Sequence, residues 1–137
     1  MKKMVVVLEK NLESSKEVIN ATLNKLSAIL NLKDKYIEVY LAGKDKMEEL
    51  GKKAGPGHHL NVLSFEPSKN FPRPDIENYQ DLGEIYLNPI YIQEDGGDLI
   101  YMLVHGLLHL LGYDHKNKSD RMKMEAKEKE LCQQINS

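Results

Sequence analysis

The chain has 137 residues, 41% hydrophobic and 29% charged, the length and balance of one folded domain with a single core rather than of a disordered or fibrous chain. Its 19 Lys and Arg against 21 Asp and Glu give a formal net charge of −2, so no global basic field announces a nucleic-acid partner and only local patches remain. One cysteine, Cys132, excludes an internal disulfide and reads as a small apolar filler in a reducing compartment.

Met1-Lys2-Lys3 ahead of an apolar run has the start of a secretory signal, but the run stops at Glu9, too short for such a segment. Residues 4–8 read instead as a buried strand. No stretch approaches the length of a membrane span, and a cytoplasmic location is expected. Ser14 followed by Glu17 has the spacing of a capping box, and Ile19, Leu23, Leu26 and Leu30 repeat as on one face of a helix. Residues 36–41 alternate, with Ile37, Val39 and Leu41 on one side and Tyr36, Glu38 and Tyr40 on the other, which predicts a half-buried strand. A short helix over 45–53 carries Met47 and Leu50 inward.

Gly55-Pro56-Gly57-His58-His59 breaks both periods and predicts a loop, followed by a strand over 61–65. Pro67, Pro72 and Pro74 punctuate the next loop, and residues 84–87 alternate again as a strand. Asp98 is placed to cap the next helix and Ser119 to cap the last, whose Met124, Leu131 and Ile135 recur at helical spacing. No repeat, linker or second domain is visible, so residues 1–137 form a single domain. The order of elements predicts an α+β fold, a four-stranded mixed sheet packed against helices, with a buried central helix at a cleft edge.

That central helix carries the chemistry. Over 99–111 nearly every residue is apolar, and a helix apolar almost all round belongs inside a domain. Only His105 and His109 are strongly polar, and four residues apart they lie on one helix face. Gly112 can take the left-handed conformation that ends a helix, and the turn Gly112-Tyr113-Asp114 brings His115 back towards that face. Three imidazoles with a fourth position open match the ligand count of a catalytic zinc site, one Zn2+ per chain. The spacing matches the H-E-x-x-H-x-x-G-x-x-H frame of metzincin proteases at the three His and the Gly. Where a protease carries its general-base Glu, however, this chain has Gly106. Either another residue takes the proton from water or the substrate is not a peptide.

The run His105-Gly106-x-Leu108-His109-Leu110-x-Gly112-Tyr113-Asp114-His115 resembles the signature of the YbeY family, endoribonucleases of bacterial ribosomal RNA maturation. Asn61-Val62-Leu63-Ser64-Phe65 is similar to the family's T-(D/N)-V-L-S-F strand, with Leu60 in place of the Thr. Leu82-Gly83-Glu84-Ile85 is similar to its L-G-D-I segment, and Met124-Glu125 to its closing M-E helix. The resemblance implies a zincin-like arrangement with His105, His109 and His115 as metal ligands. It implies a zinc-dependent, single-strand-specific endoribonuclease acting in small-subunit ribosomal RNA maturation and ribosome quality control. Single-stranded RNA, ribosomal RNA and the small ribosomal subunit are then the partners, with no membrane or DNA.

The chain departs from the family pattern at one point: the family's Arg before that strand is replaced by Ala54. Phosphodiester cleavage calls for a cation at the scissile phosphate. Lys53 is the candidate to supply it, with Lys52 beside it, the two reading equally as a solvated helix end; Ser64 bonds either substrate or backbone, and His58 and His59 read as an ordinary loop in which His59 is the candidate substrate contact. Asp114 either orients a ligand His or favours the turn. Lys116, Lys118, Arg121 and Lys123 form a basic cluster after the motif, either solvated or tracking an RNA backbone. Two alternatives stand beside the nuclease: a zinc metalloprotease, and a non-catalytic zinc-binding ribosome biogenesis factor.

Overall fold

The computed structural model describes residues 1–54, 60–70 and 73–136. Four strands, β1 (Lys2–Val7), β2 (Lys35–Leu41), β3 (Val62–Phe65) and β4 (Gln80–Leu87), form one sheet in the order β1-β2-β4-β3. β1, β2 and β4 run parallel, and β3 pairs antiparallel with β4. The helices are α1 (Lys16–Leu30), α2 (Lys44–Ala54), α3 (Pro89–Glu94), α4 (Leu99–Leu110) and α5 (Lys118–Ile135). The expected α+β fold with a mixed four-stranded sheet is thus found. Among the described residues no helix is long and apolar enough to cross a membrane.

Alternation along the strands sorts side chains into two cores. Ile37, Val39 and Leu41 of β2 and Ile85 and Leu87 of β4 join Leu103, Val104, Leu107 and Leu108 of α4 in the main cluster, closed by Leu23 and Leu26 of α1 and Met124, Leu131 and Ile135 of α5. The other sheet face holds a smaller cluster in which Met47 and Leu50 of α2 pack on Ala42 and Leu63, with Phe65 and Tyr86 beside them. α4 therefore sits between the sheet and α5, touching both.

Several local expectations are corrected. The Ser14–Glu17 capping box does not form: residues Lys10–Ser15 are a 3-10 helix that runs directly into α1, so the chain arrives already helical and Ser15 makes no side-chain cap. α5 is capped by Asn117, whose Oδ1 accepts from the Asp120 N–H at 2.8 Å, rather than by Ser119. Asp98 caps α4 as expected, accepting from Ile100 N at 2.8 Å and Tyr101 N at 3.2 Å. Gly83, at φ +118°, sits where any side chain would run into the Phe65 carbonyl, beside the register shift in the β2–β4 ladder.

β2 is buried on both faces, not one. Glu38, 6% exposed, accepts from the Tyr36 hydroxyl at 2.7 Å, from the Tyr40 hydroxyl, and from Arg73 Nη2 at 3.0 Å. Burial pushes the Glu38 carboxyl up, but the hydrogen bonds from Tyr40, Tyr36 and Arg73 together outweigh it and hold the group below its ordinary range. A carboxyl depressed in the folded state stabilises the fold above its unfolded pKa, and that contribution is lost as pH falls through the folded value. Urea melts should therefore show stability declining as pH drops below about 4.3, the ordinary Glu value. Arg73→Ala should lower stability by about 1–3 kcal/mol at neutral pH, because it strips the charged donor from a buried carboxylate. Unchanged urea midpoints in that variant would show that the two tyrosines satisfy Glu38 alone.

Candidate active site

The turn predicted after α4 is built as expected. Gly112 has φ +103°, Tyr113 N bonds to Leu108 O at 3.0 Å and Gly112 N to His109 O at 3.1 Å, the paired bonds of a Schellman motif. The chain is thereby reversed, and the His115 ring comes to 4.9 Å from the His109 ring and 6.0 Å from the His105 ring, centroid to centroid. His105 and His109, one turn apart on α4, stand at 4.7 Å with their rings nearly perpendicular. These three side chains line a cleft of about 770 Å³ whose walls come from β3, α4 and α5.

The sequence reading missed the residue that orders this site. Glu128 of α5 is 2% exposed, and its Oε2 lies 3.0 Å from His105 Nδ1. A buried carboxylate accepts the Nδ1 proton, which fixes the His105 tautomer and leaves its Nε2 lone pair free. That Nε2 faces His109 Nε2 at 3.2 Å. Two ring nitrogens so close are satisfied by a shared proton or by a cation between them, and that is the observation that fits a metal here. His109 is held below its ordinary pKa by burial first and then by the neighbouring His105 and His115, while a hydrogen bond to the Tyr113 backbone opposes the shift. A neutral imidazole is the form that binds metal. Glu128, after burial, also pushes the Tyr101 hydroxyl at the cleft wall up to about 12, so it stays a proton donor at neutral pH. A signal for Glu128 was present: it falls on the same helical stripe as Met124, Leu131 and Ile135, and a carboxylate on a core-facing stripe needs a partner.

Among the described residues, no three His, Cys, Asp or Glu side chains are drawn close enough to enclose a metal as they stand. His105 and His109 are already paired, while exposed His115 would have to turn its ring inward.

Gly106 explains why the protease base is absent. A Cβ there would lie 3.0 Å from Ile85 Cγ2 and 3.1 Å from Ser64 Oγ, so this position faces the sheet at a close contact. Ser64, expected near substrate, lines the cleft and donates from Oγ to the Gly106 carbonyl at 3.2 Å, tying β3 to α4. Asp114 Oδ1 accepts from the Lys116 backbone N–H at 3.1 Å, a turn bond. Lys52 and Lys53 are exposed on α2, and Ala54 is that helix's residue in the cleft wall. His58 and His59 lie outside the described residues. From the basic cluster after the motif, Arg121 lines the cleft, and Glu66 and Glu125 add carboxylates to its rim.

Comparisons with known proteins agree over nearly the whole chain. A protein named Endoribonuclease YbeY from Wolbachia sp. subsp. Drosophila simulans is 35% identical over 126 residues, spanning 83% of this chain and 77% of its own length. Another of that name, from Thermodesulfovibrio yellowstonii, is 31% identical and covers 89% of each chain. The solution structure of a Thermotoga maritima protein superposes with a TM-score of 0.63 over 97% of this chain and 88% of its own, at 22% identity, which shows the shared fold. The family model described as Endoribonuclease YbeY matches residues 3–136, and the chain, with its His-rich α4 and turn, belongs to the YbeY family.

Proposed function

We propose that this chain is a zinc-dependent endoribonuclease that cuts single-stranded RNA during maturation of small-subunit ribosomal RNA in the cytoplasm. Family membership supports RNA cleavage, because the matching model and relatives carry that name. The observation that carries the metal is the His105–His109 pair, nitrogen to nitrogen at 3.2 Å, with buried Glu128 fixing the tautomer of one of them.

In this reading His105, His109 and His115 hold one zinc ion, and Glu128 orients His105. Bound there, zinc would supply Lewis acidity at a phosphoryl oxygen and lower the pKa of water to about 7. Ser64 keeps α4 seated on β3, so that the imidazoles face the cleft rather than the sheet. Tyr101 offers a protonated hydroxyl at the wall. The protease alternative is opposed by Gly106, which lacks the base and whose position meets Ile85 and Ser64 at a tight contact. The non-catalytic alternative is favoured by Ala54 standing in the cleft wall where the family carries its Arg.

The test offers labelled single-stranded RNA, duplex RNA and casein to the protein with and without chelator. Cleavage of the single strand alone, lost on chelation and restored by zinc, is expected. Chelator-sensitive proteolysis would overturn the nuclease reading, and ribosome association without any RNA cleavage would replace it with the non-catalytic one.

Glu128→Gln keeps the volume but replaces the carboxylate that accepts from His105. It should weaken zinc binding by about 10–100-fold, measured by competition with a chromophoric chelator. An unchanged affinity would show that the contact serves packing only.

A further inference from the structure

We infer that Arg121 of α5 is the residue that grips an RNA phosphate at this cleft, an inference that rests on the endoribonuclease reading above. The chain has two arginines, and the structure uses them differently. Arg73 is committed to the fold, paired with Glu38 and Asp75 at 3.0 Å and with Asp81 at 3.7 Å. Arg121 engages the first turn of α5 through its backbone, N–H to Asn117 O at 3.0 Å, but among the described residues its guanidinium has no hydrogen bond or ion pair. It is also the single Lys or Arg among the described residues that line the cleft.

Position and charge point the same way. Arg121, Glu125 and Glu128 recur at i, i+4 and i+7, so they share one face of α5, and that face meets the imidazoles through Glu128. Seven residues of helix set Arg121 about 10 Å along the axis from Glu128, on the wall of the same cleft. Glu66 and Glu125 add negative charge to this lining, which a cation at Arg121 offsets for a phosphodiester. A free guanidinium offers the two-pronged donor set that matches phosphate oxygens. Lys53 lacks that placement, being exposed on α2 and not among the described residues that line the cleft.

The experiment measures binding of the full chain to a fluorescent single-stranded RNA by anisotropy across a salt series, with zinc and with chelator, so that it reads affinity rather than turnover. Arg121→Gln should bind about tenfold more weakly. Its slope of log affinity against log salt should fall by about 0.7, one single-strand phosphate contact. Its thermal melt should match the parent, because the side chain is exposed. Arg121→Lys should fall between the two, and Glu125→Gln should bind more tightly by removing a carboxylate from the same wall. Unchanged affinity and slope in Arg121→Gln, with both reduced in Lys53→Gln, would move the phosphate contact to α2 and overturn the inference while leaving the nuclease reading intact. A parent that neither binds nor cleaves the single strand would overturn both.

Discussion

The parent is expected to purify with one zinc ion per chain and His109→Ala without it, with RNA cleavage lost by more than the 10–100-fold typical of changes around a metal's outer ligands. His109 is the ring nearest to both others, at 4.7 Å from His105 and 4.9 Å from His115, while those two stand 6.0 Å apart, so its removal leaves only the wider pair. A ligand that binds only the folded state stabilises it by about 2.7 kcal/mol at a hundred times its dissociation constant. Adding zinc should raise the melting temperature of the parent by that linkage and leave His109→Ala unmoved. Comparing the two proteins in chelator isolates the packing effect of the half-buried ring. Full zinc occupancy in the variant would remove His109 from the ligand set.

Gly106→Glu should lower stability by several kcal/mol. The first carbon of a side chain at this position already meets Ile85 at 3.0 Å and Ser64 at 3.1 Å. Gly106→Ala isolates that crowding: overpacking of about 1–3 kcal/mol is partly offset by about 1 kcal/mol of helix propensity. Glu adds a charged carboxylate crowded against the sheet, a further cost of several kcal/mol where it is desolvated. Urea unfolding should rank parent, Ala and Glu in that order, with the Glu variant largely unfolded at 37 °C and devoid of peptidase activity. A Glu variant as stable as the parent would mean that α4 can lift off β3 and β4 at little cost.

What could be read from the sequence was what local spacing encodes. His105, His109, Gly112 and His115 lie within eleven residues of chain, so helical geometry and one turn suffice to bring them together. Glu128 lies 23 residues beyond His105 and is joined to it only by the packing of α5 on α4, which no periodicity reports. The same limit explains β2. Tyr36, Glu38 and Tyr40 alternate like a solvent-facing row, and their cover comes from Arg73, 35 residues away from Glu38, and from Tyr86 stacked on Tyr40. α3 escaped notice because six residues, Pro89–Glu94, make too short a window for a helical period. The 3-10 turn ahead of α1 displaced the Ser14 cap because Leu12, 2% exposed, is drawn into the core and winds the chain before α1 begins. For the cation, the sequence offered two basic stretches on either side of the motif. Only the three-dimensional wall separated Arg121 from Lys53.

The link between Glu128 and His105 sets an order of maturation during synthesis. All three imidazoles leave the ribosome before the carboxylate that fixes the first of them, because Glu128 follows His115 in the chain. A nascent or prematurely terminated polypeptide that ends between Tyr113 and Glu128 would lack the partner that orients His105, and α4 would lack the α5 surface that covers it. The cleft would thus be complete only after α5 has emerged and docked.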